Sequence, residues 1–179
     1  NYAFYLGATN NNIEEIKNVD ANLACGVKVF MGSSTGNMLV DDLQALDQIF
    51  KESPILIATH CEDSPTIEKN LEQMKKEYGD NIPIELHPMI RSREACEKSS
   101  KLAVKLAKKH NSRLHILHLT THNEIHLFNS GALEQKRITA EACVHHLYFS
   151  DSGIPGLVSK KVKKDLVCGI SIRMLFFLS

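Results

Sequence analysis

Short apolar runs alternate with amphipathic stretches along most of this chain. The runs at about 2–6, 27–31, 55–60, 114–119 and 138–143 are too short for helices and mostly rich in β-branched or aromatic residues, so they predict strands. Between them the apolar residues recur at helical spacing. Ile13, Ile16 and Leu23 share a side over about 12–24, with Asn11 or Asn12 available as a cap. Leu43, Leu46, Ile49 and Phe50 make a stripe over about 40–51. A longer helical region follows in two pieces. The first, about 65–78, is closed by Gly79; the second, about 92–110, carries Ala95, Leu102 and Leu106 opposite a solvated lysine face. Residues 84–91 read as an irregular connector, and a last helix is predicted over about 121–132.

Strands that alternate with helices imply parallel pairing in an α/β layer architecture. Five such units without a dinucleotide fingerprint predict part of a (β/α)8 TIM barrel, with catalytic groups at the C-terminal strand ends. A doubly wound open sheet is the alternative. The barrel unit is expected to cover residues 1–166, leaving 167–179 as a divergent tail.

Composition narrows the function classes. Basic and acidic residues balance at 21 each, so charge alone points to neither nucleic acid nor an anionic membrane. The apolar tail Leu175-Phe176-Phe177-Leu178 is too short to span a bilayer, and no signal-peptide pattern opens the chain. Five cysteines, odd in number and never spaced as CxxC, suit reduced thiols in a cytoplasmic protein. The first residue is not Met and the last residues give no domain-ending signal, which is the pattern expected of a fragment.

Three residues at the ends of apolar runs stand out. Lys28 lies in Gly26-Val27-Lys28-Val29-Phe30-Met31, where a buried ammonium is costly unless its chemistry changes. His60 ends Ile55–His60, and His118 lies in Leu114–Leu119. Neutral imidazole is the commonest ligand for zinc-like metals. A lysine with a lowered pKa can add carbon dioxide and become an anionic carbamate, which suits a bridge between two cations. Each residue also has a plainer reading: a lysine snorkelling to the rim, or histidines satisfied within a core. Strand alternation puts Ala58 and Leu56 on the face of His60, with Ile55, Ile57 and Thr59 toward the helices. Counted back from His118, it puts Ile116 and Leu114 inward and turns His115 toward the helix layer.

Other features are assigned structural roles. Gly32-Ser33-Ser34-Thr35-Gly36-Asn37 lacks the Walker ending and reads as a loop near substrate rather than a phosphate cradle. Cys61 reads as a buried structural thiol, Asp63 as a helix cap, and Arg91 and Arg93 as surface charges.

The stretches GVKVFMGSSTGNML, ATHCED, LHILHLTT and ITAEACVHHLYFSD, in that order, resemble dihydroorotase, a cyclic amidohydrolase. The opening YAFYLGATNNN is similar to that family's third barrel strand and loop. The resemblance implies barrel strands three to seven. It implies that Lys28 is the carbamylated metal bridge and that His60 and His118 bind the second of two divalent ions, zinc being expected. Glu141, His145 and His146 fall in a seventh-strand signature but receive no ligand role. The substrate implied is N-carbamoyl-L-aspartate or dihydroorotate, in a cytoplasmic enzyme that is a homo-oligomer when full length.

The departures from that pattern are specific. No HxH pair occurs, and no DxAPH-like stretch supplies the general-base aspartate, which is expected outside this chain. Residues 1–179 alone are therefore expected not to turn over. A hydantoinase- or allantoinase-like enzyme and a non-enzymatic amidohydrolase-like scaffold are the alternatives.

Overall fold

A computed structural model describes residues 2–32, 34, 37–144 and 146. Five strands form one parallel sheet: β1 (Phe4–Gly7), β2 (Ala24–Phe30), β3 (Ile57–His60), β4 (Leu114–Ile116) and β5 (Ile138–Ala140). Their spatial order follows their chain order. That order decides between the two architectures. A doubly wound sheet reverses direction at a switch point, whereas right-handed crossovers that always step the same way put every helix on one side and curl the sheet into a barrel arc. The expected partial barrel is what the chain forms.

The helices are α1 (Ile13–Lys17), α2 (Leu43–Glu52), α3 (Ser64–Tyr78), α4 (His87–Ile90) and α5 (Arg93–His110). The capping chemistry is local. The Asp42 carboxylate accepts from the Gln44 and Ala45 amides at 2.7 and 3.2 Å, Asp63 accepts from Thr66, and Ser92 accepts from Ala95. Gly79 ends α3 with a φ of 63°, a conformation in which a side chain would be strained.

Several elements differ from the sequence pattern. The first helix stops at Lys17, and Leu23 is 76% exposed rather than part of a stripe. Asn12 precedes α1, but its side chain donates to the Gly7 carbonyl and accepts from Thr9 instead of capping. Leu43 lies outside the stripe of α2, which buries Leu46, Ile49 and Phe50. The predicted helix at 121–132 is a six-residue 3-10 segment, His122–Leu127, started by a Thr121–Glu124 capping box. The connector at 84–91 contains a 3-10 turn and α4.

The core lies between the sheet and the helices. Val27, Val29, Ile57, Leu114 and Ile116 project from the strands onto Leu46, Ile49 and Phe50 of α2 and Ala103, Val104 and Ala107 of α5. Each large side chain fully buried there contributes about 1.5–3 kcal/mol before chain entropy is counted. Ile57 and Thr59 face the helices as alternation predicts, both completely buried. Among the described residues, no helix is long and apolar enough to cross a membrane. The 166/167 boundary and the tail lie outside the described residues.

Candidate metal centre

Register fixes which residues share the inner face. Lys28 pairs with Gly7 and Ala58, Ala58 with His115, and His115 with Thr139, so these residues form one level across the arc. Phe30 and His60 pair one level higher. Lys28 and Phe30 share a face because they are two apart on β2. The Lys28 Nζ sits 4.4 Å from the centroid of the Phe30 ring, and the Phe30 and His60 rings stand 6.0 Å apart.

This placement corrects the alternation counted back from His118. Leu114 and Ile116 are buried on the helix side, at 0% and 1% exposure, and His115 faces inward. The count failed because β4 ends at Ile116 and His118 adopts a φ of 39°. That left-handed residue rotates the chain, so His118 meets His60 although strict alternation would turn it away.

His60 and His118 form the centre of the cluster. His60 Nδ1 lies 3.2 Å from His118 Nε2, with ring centroids 4.9 Å apart. Two nitrogens bound tetrahedrally to one zinc at its usual bond length would stand about 3.3 Å apart. The separation in the structure therefore fits a shared cation. Burial, followed by the neighbouring His60 ring, pushes the His118 pKa down to about 4. At neutral pH the His118 ring is uncharged, as a ligand must be.

Lys28 is adjusted in the same direction. Burial lowers its ammonium to about 8, against the opposing charges of Cys61 and Glu141. Its own charge is one of the causes that lower His118, which places the two groups in one electrostatic neighbourhood. Among the described residues no group of three or more His, Cys, Asp or Glu side chains makes a complete metal cage. The spacing of the two histidines fits one cation, and Lys28 is the nearby group whose chemistry would suit a further ligand.

Three charged groups at the site carry no site role in the sequence reading. Glu62, read past in favour of its neighbours Cys61 and Asp63, is 4% exposed and hydrogen-bonds His60 Nε2 at 2.8 Å. Arg91, expected on the surface, pairs with both Glu62 oxygens. Glu141 lies inward, 3.3 Å from His115 Nε2, with its other oxygen 3.4 Å from the His118 amide. The alternation did carry a signal for Glu62, which sits two residues beyond His60. Nothing in the sequence links Arg91 to it across 29 positions.

Cys61 and Asp63 behave as expected. Burial pushes the Cys61 thiol up to about 11, which makes it inert at neutral pH. Asp63 caps α3 and also pairs with Lys98 at 2.7 Å. His146 is buried at 3% exposure; His145 lies outside the described residues, as do Ser33, Thr35 and Gly36 of the loop after β2.

Comparison with known proteins agrees with the fold. The chain is 25% identical over 139 residues to a dihydroorotase of Methanosphaera stadtmanae, covering 78% of this chain and 31% of that protein. It is 26% identical over 152 residues to an allantoinase of Enterococcus faecalis, covering 78% and 32%. Among solved structures, the L-hydantoinase of Arthrobacter aurescens superposes with a TM-score of 0.77 over 88% of this chain and 36% of its own, at 21% identity. The dihydropyrimidinase of Brevibacillus agri gives 0.71 over 94% and 36%, at 20% identity. The fold is an arc of the barrel found in these two structures. No family model matches the chain. This arc spans about a third of the length of the relatives, whose names are those of cyclic-amide hydrolases.

Proposed function

We propose that this protein is a metal-dependent cyclic amidohydrolase, and specifically a dihydroorotase that reversibly closes N-carbamoyl-L-aspartate with zinc as its metal. The observation that carries the reading is the pair of ring nitrogens, His60 Nδ1 and His118 Nε2, 3.2 Å apart on the inner face of a barrel arc. The dihydroorotase relative supports the choice of substrate. Allantoinase relatives at similar identity, 26% and 24%, favour a second reading in which a hydantoin-type ring is opened by the same residues.

The roles follow from the chemistry of each group. His60 and His118 hold one divalent cation through neutral nitrogens. Lys28, as the free amine, would attack carbon dioxide; a nitrogen–carbon bond forms as one carbon–oxygen π bond opens, the nitrogen gives up a proton to solvent, and a carbamate remains whose single negative charge is shared by two oxygens. That carbamate would supply an anionic ligand that can serve two cations. Bound metal ions supply Lewis-acid polarisation of the ring carbonyl and acidify a water molecule. Neither an HxH pair nor a DxAPH-like stretch occurs in residues 1–179, so we assign the general base to no residue of this chain. Among the described residues the four cysteines are free thiols, which supports a cytoplasmic location. The family resemblance supports a homo-oligomer.

The test is an assay of the full-length protein loaded with zinc against carbamoyl-aspartate, dihydroorotate, hydantoin and allantoin. Turnover of the first pair is expected. Turnover confined to hydantoin or allantoin selects the second reading. No turnover, together with less than one metal ion per chain, overturns both.

A further inference from the structure

Beyond the ligands themselves, the most completely built polar arrangement in the molecule is the line His60–Glu62–Arg91. Glu62 follows β3 and is almost wholly buried. The backbone after β2 closes over it: a Cβ at Gly32 would stand 2.0 Å from the Glu62 carbonyl oxygen, so no larger residue fits there. On one side the carboxylate meets His60 Nε2 at 2.8 Å. On the other, Arg91 donates through Nε to Oε1 at 2.8 Å and through Nη2 to Oε2. Arg91 is in turn fixed from α3, where the Asn70 amide donates to the carbonyls of Met89 and Ile90 at 3.1 Å each.

The chemistry of this line has a direction. Arg91 can only donate, so it fills the carboxylate from one side and keeps it ionised. An ionised carboxylate can only accept, so a His60 ring bonded to it carries a proton on Nε2. The lone pair is then on Nδ1, the nitrogen that faces His118. A carboxylate on the far nitrogen also fixes the ring plane and raises ligand basicity.

We propose that Glu62, clamped by Arg91, is a positioning residue that presents His60 Nδ1 to a divalent cation. The proposal rests on the reading above that His60 and His118 share a metal. The clamp also ties the junction between α4 and α5 to the site, so its integrity sets how well the inner face holds metal.

The experiment measures cobalt(II) affinity of the full-length protein by chelator competition, with visible absorption of the bound ion as a second readout. Glu62→Gln retains the shape of the side chain but offers one acceptor oxygen where three donors converge. It should weaken cobalt binding at His60 and His118 about 10- to 100-fold, the usual effect of losing such a partner. Arg91→Lys, which retains charge without the bidentate fork, should weaken it less. Melting of the metal-free variants separates positioning from packing: a role in stability alone would lower the melting temperature and leave affinity per folded molecule unchanged. Affinity within twofold of the parent in Glu62→Gln, while His60→Ala loses cobalt, overturns the positioning role and leaves the metal site standing. Unchanged cobalt binding in His60→Ala and His118→Ala would instead overturn the metal site on which it rests.

Discussion

His60 Nδ1 and His118 Nε2 meet at 3.2 Å across 58 residues of chain. The contact depends on the left-handed backbone of His118, without which its ring would follow Ile116 toward the helices. Two adjacent imidazoles, one of them well desolvated, resist protonation. The His118 pKa is accordingly about 4 against an unperturbed 6.5. Between those values the unfolded chain binds more protons than the folded one, so this group makes stability fall as pH drops from 6.5 toward 4. Histidine-resolved NMR of the metal-free protein should show His118 titrating near 4, and His60→Ala should move it upward. A titration close to 6.5 in the parent protein would dismiss the coupling.

Lys28 should be indispensable to the bridged metal pair. Lys28→Ala removes the amine that accepts carbon dioxide, and metal content of the full-length protein should fall from two ions per chain toward one or none. Short carboxylic acids should restore part of the loss by placing a carboxylate where the carbamate stood. Metal analysis with and without acetate or propionate measures both effects. Unchanged metal content in Lys28→Ala would remove the bridging role.

The same lysine has a measurable cost before metal binds. Its ammonium is lowered from 10.5 to about 8 by burial, so the folded state carries fewer protons than the unfolded state between those values. Stability should therefore rise with pH through about 8 to 10.5, and the penalty should be fully present below that window. Lys28→Met should raise the melting temperature of the metal-free protein at pH 7 and flatten the dependence between pH 8 and 10.5. A parent profile already flat over that range would contradict a buried ammonium. The burial that makes the ammonium costly also enlarges the neutral fraction, the form that reacts with carbon dioxide.

The fold was more legible than the site. Strand–helix alternation and the buried stripe Leu46-Ile49-Phe50 give the barrel arc directly, because burial imposes a period on the sequence. The strand ends carrying Lys28, His60 and His118 were visible as polar residues in apolar runs. Two things were not visible. One was the direction of β4: alternation holds only while the backbone stays extended, and His118 breaks it after Ile116. The other was the Glu62–Arg91 pair, in which both partners look like ordinary surface charges until the fold closes over them. Contacts between loops leave no periodic trace.

The polypeptide of residues 1–179, expressed alone, should associate with itself. Among the described residues β1 bonds only β2, and β5 bonds only β4, so each outer strand presents a free row of backbone donors and acceptors. The β1 edge also carries Tyr2, Phe4 and Tyr5 at 87%, 67% and 44% exposure. On the inner face Phe30 and Leu56 are half-buried, although Ile116, which alternation had placed beside them, is safely in the helix-side core. In a closed barrel, neighbouring strands would cover both the edges and this face. Without them, pairing of edges between copies satisfies the same groups. Sedimentation velocity should show dimers or larger species whose proportion rises with concentration, and Tyr5→Lys on the exposed edge should reduce it. Metal binding by this polypeptide should be weak, because two histidines on an open face make an incomplete cage. A concentration-independent monomer with one sharp unfolding transition would show that the arc covers its own edges and that the sheet closes in another way.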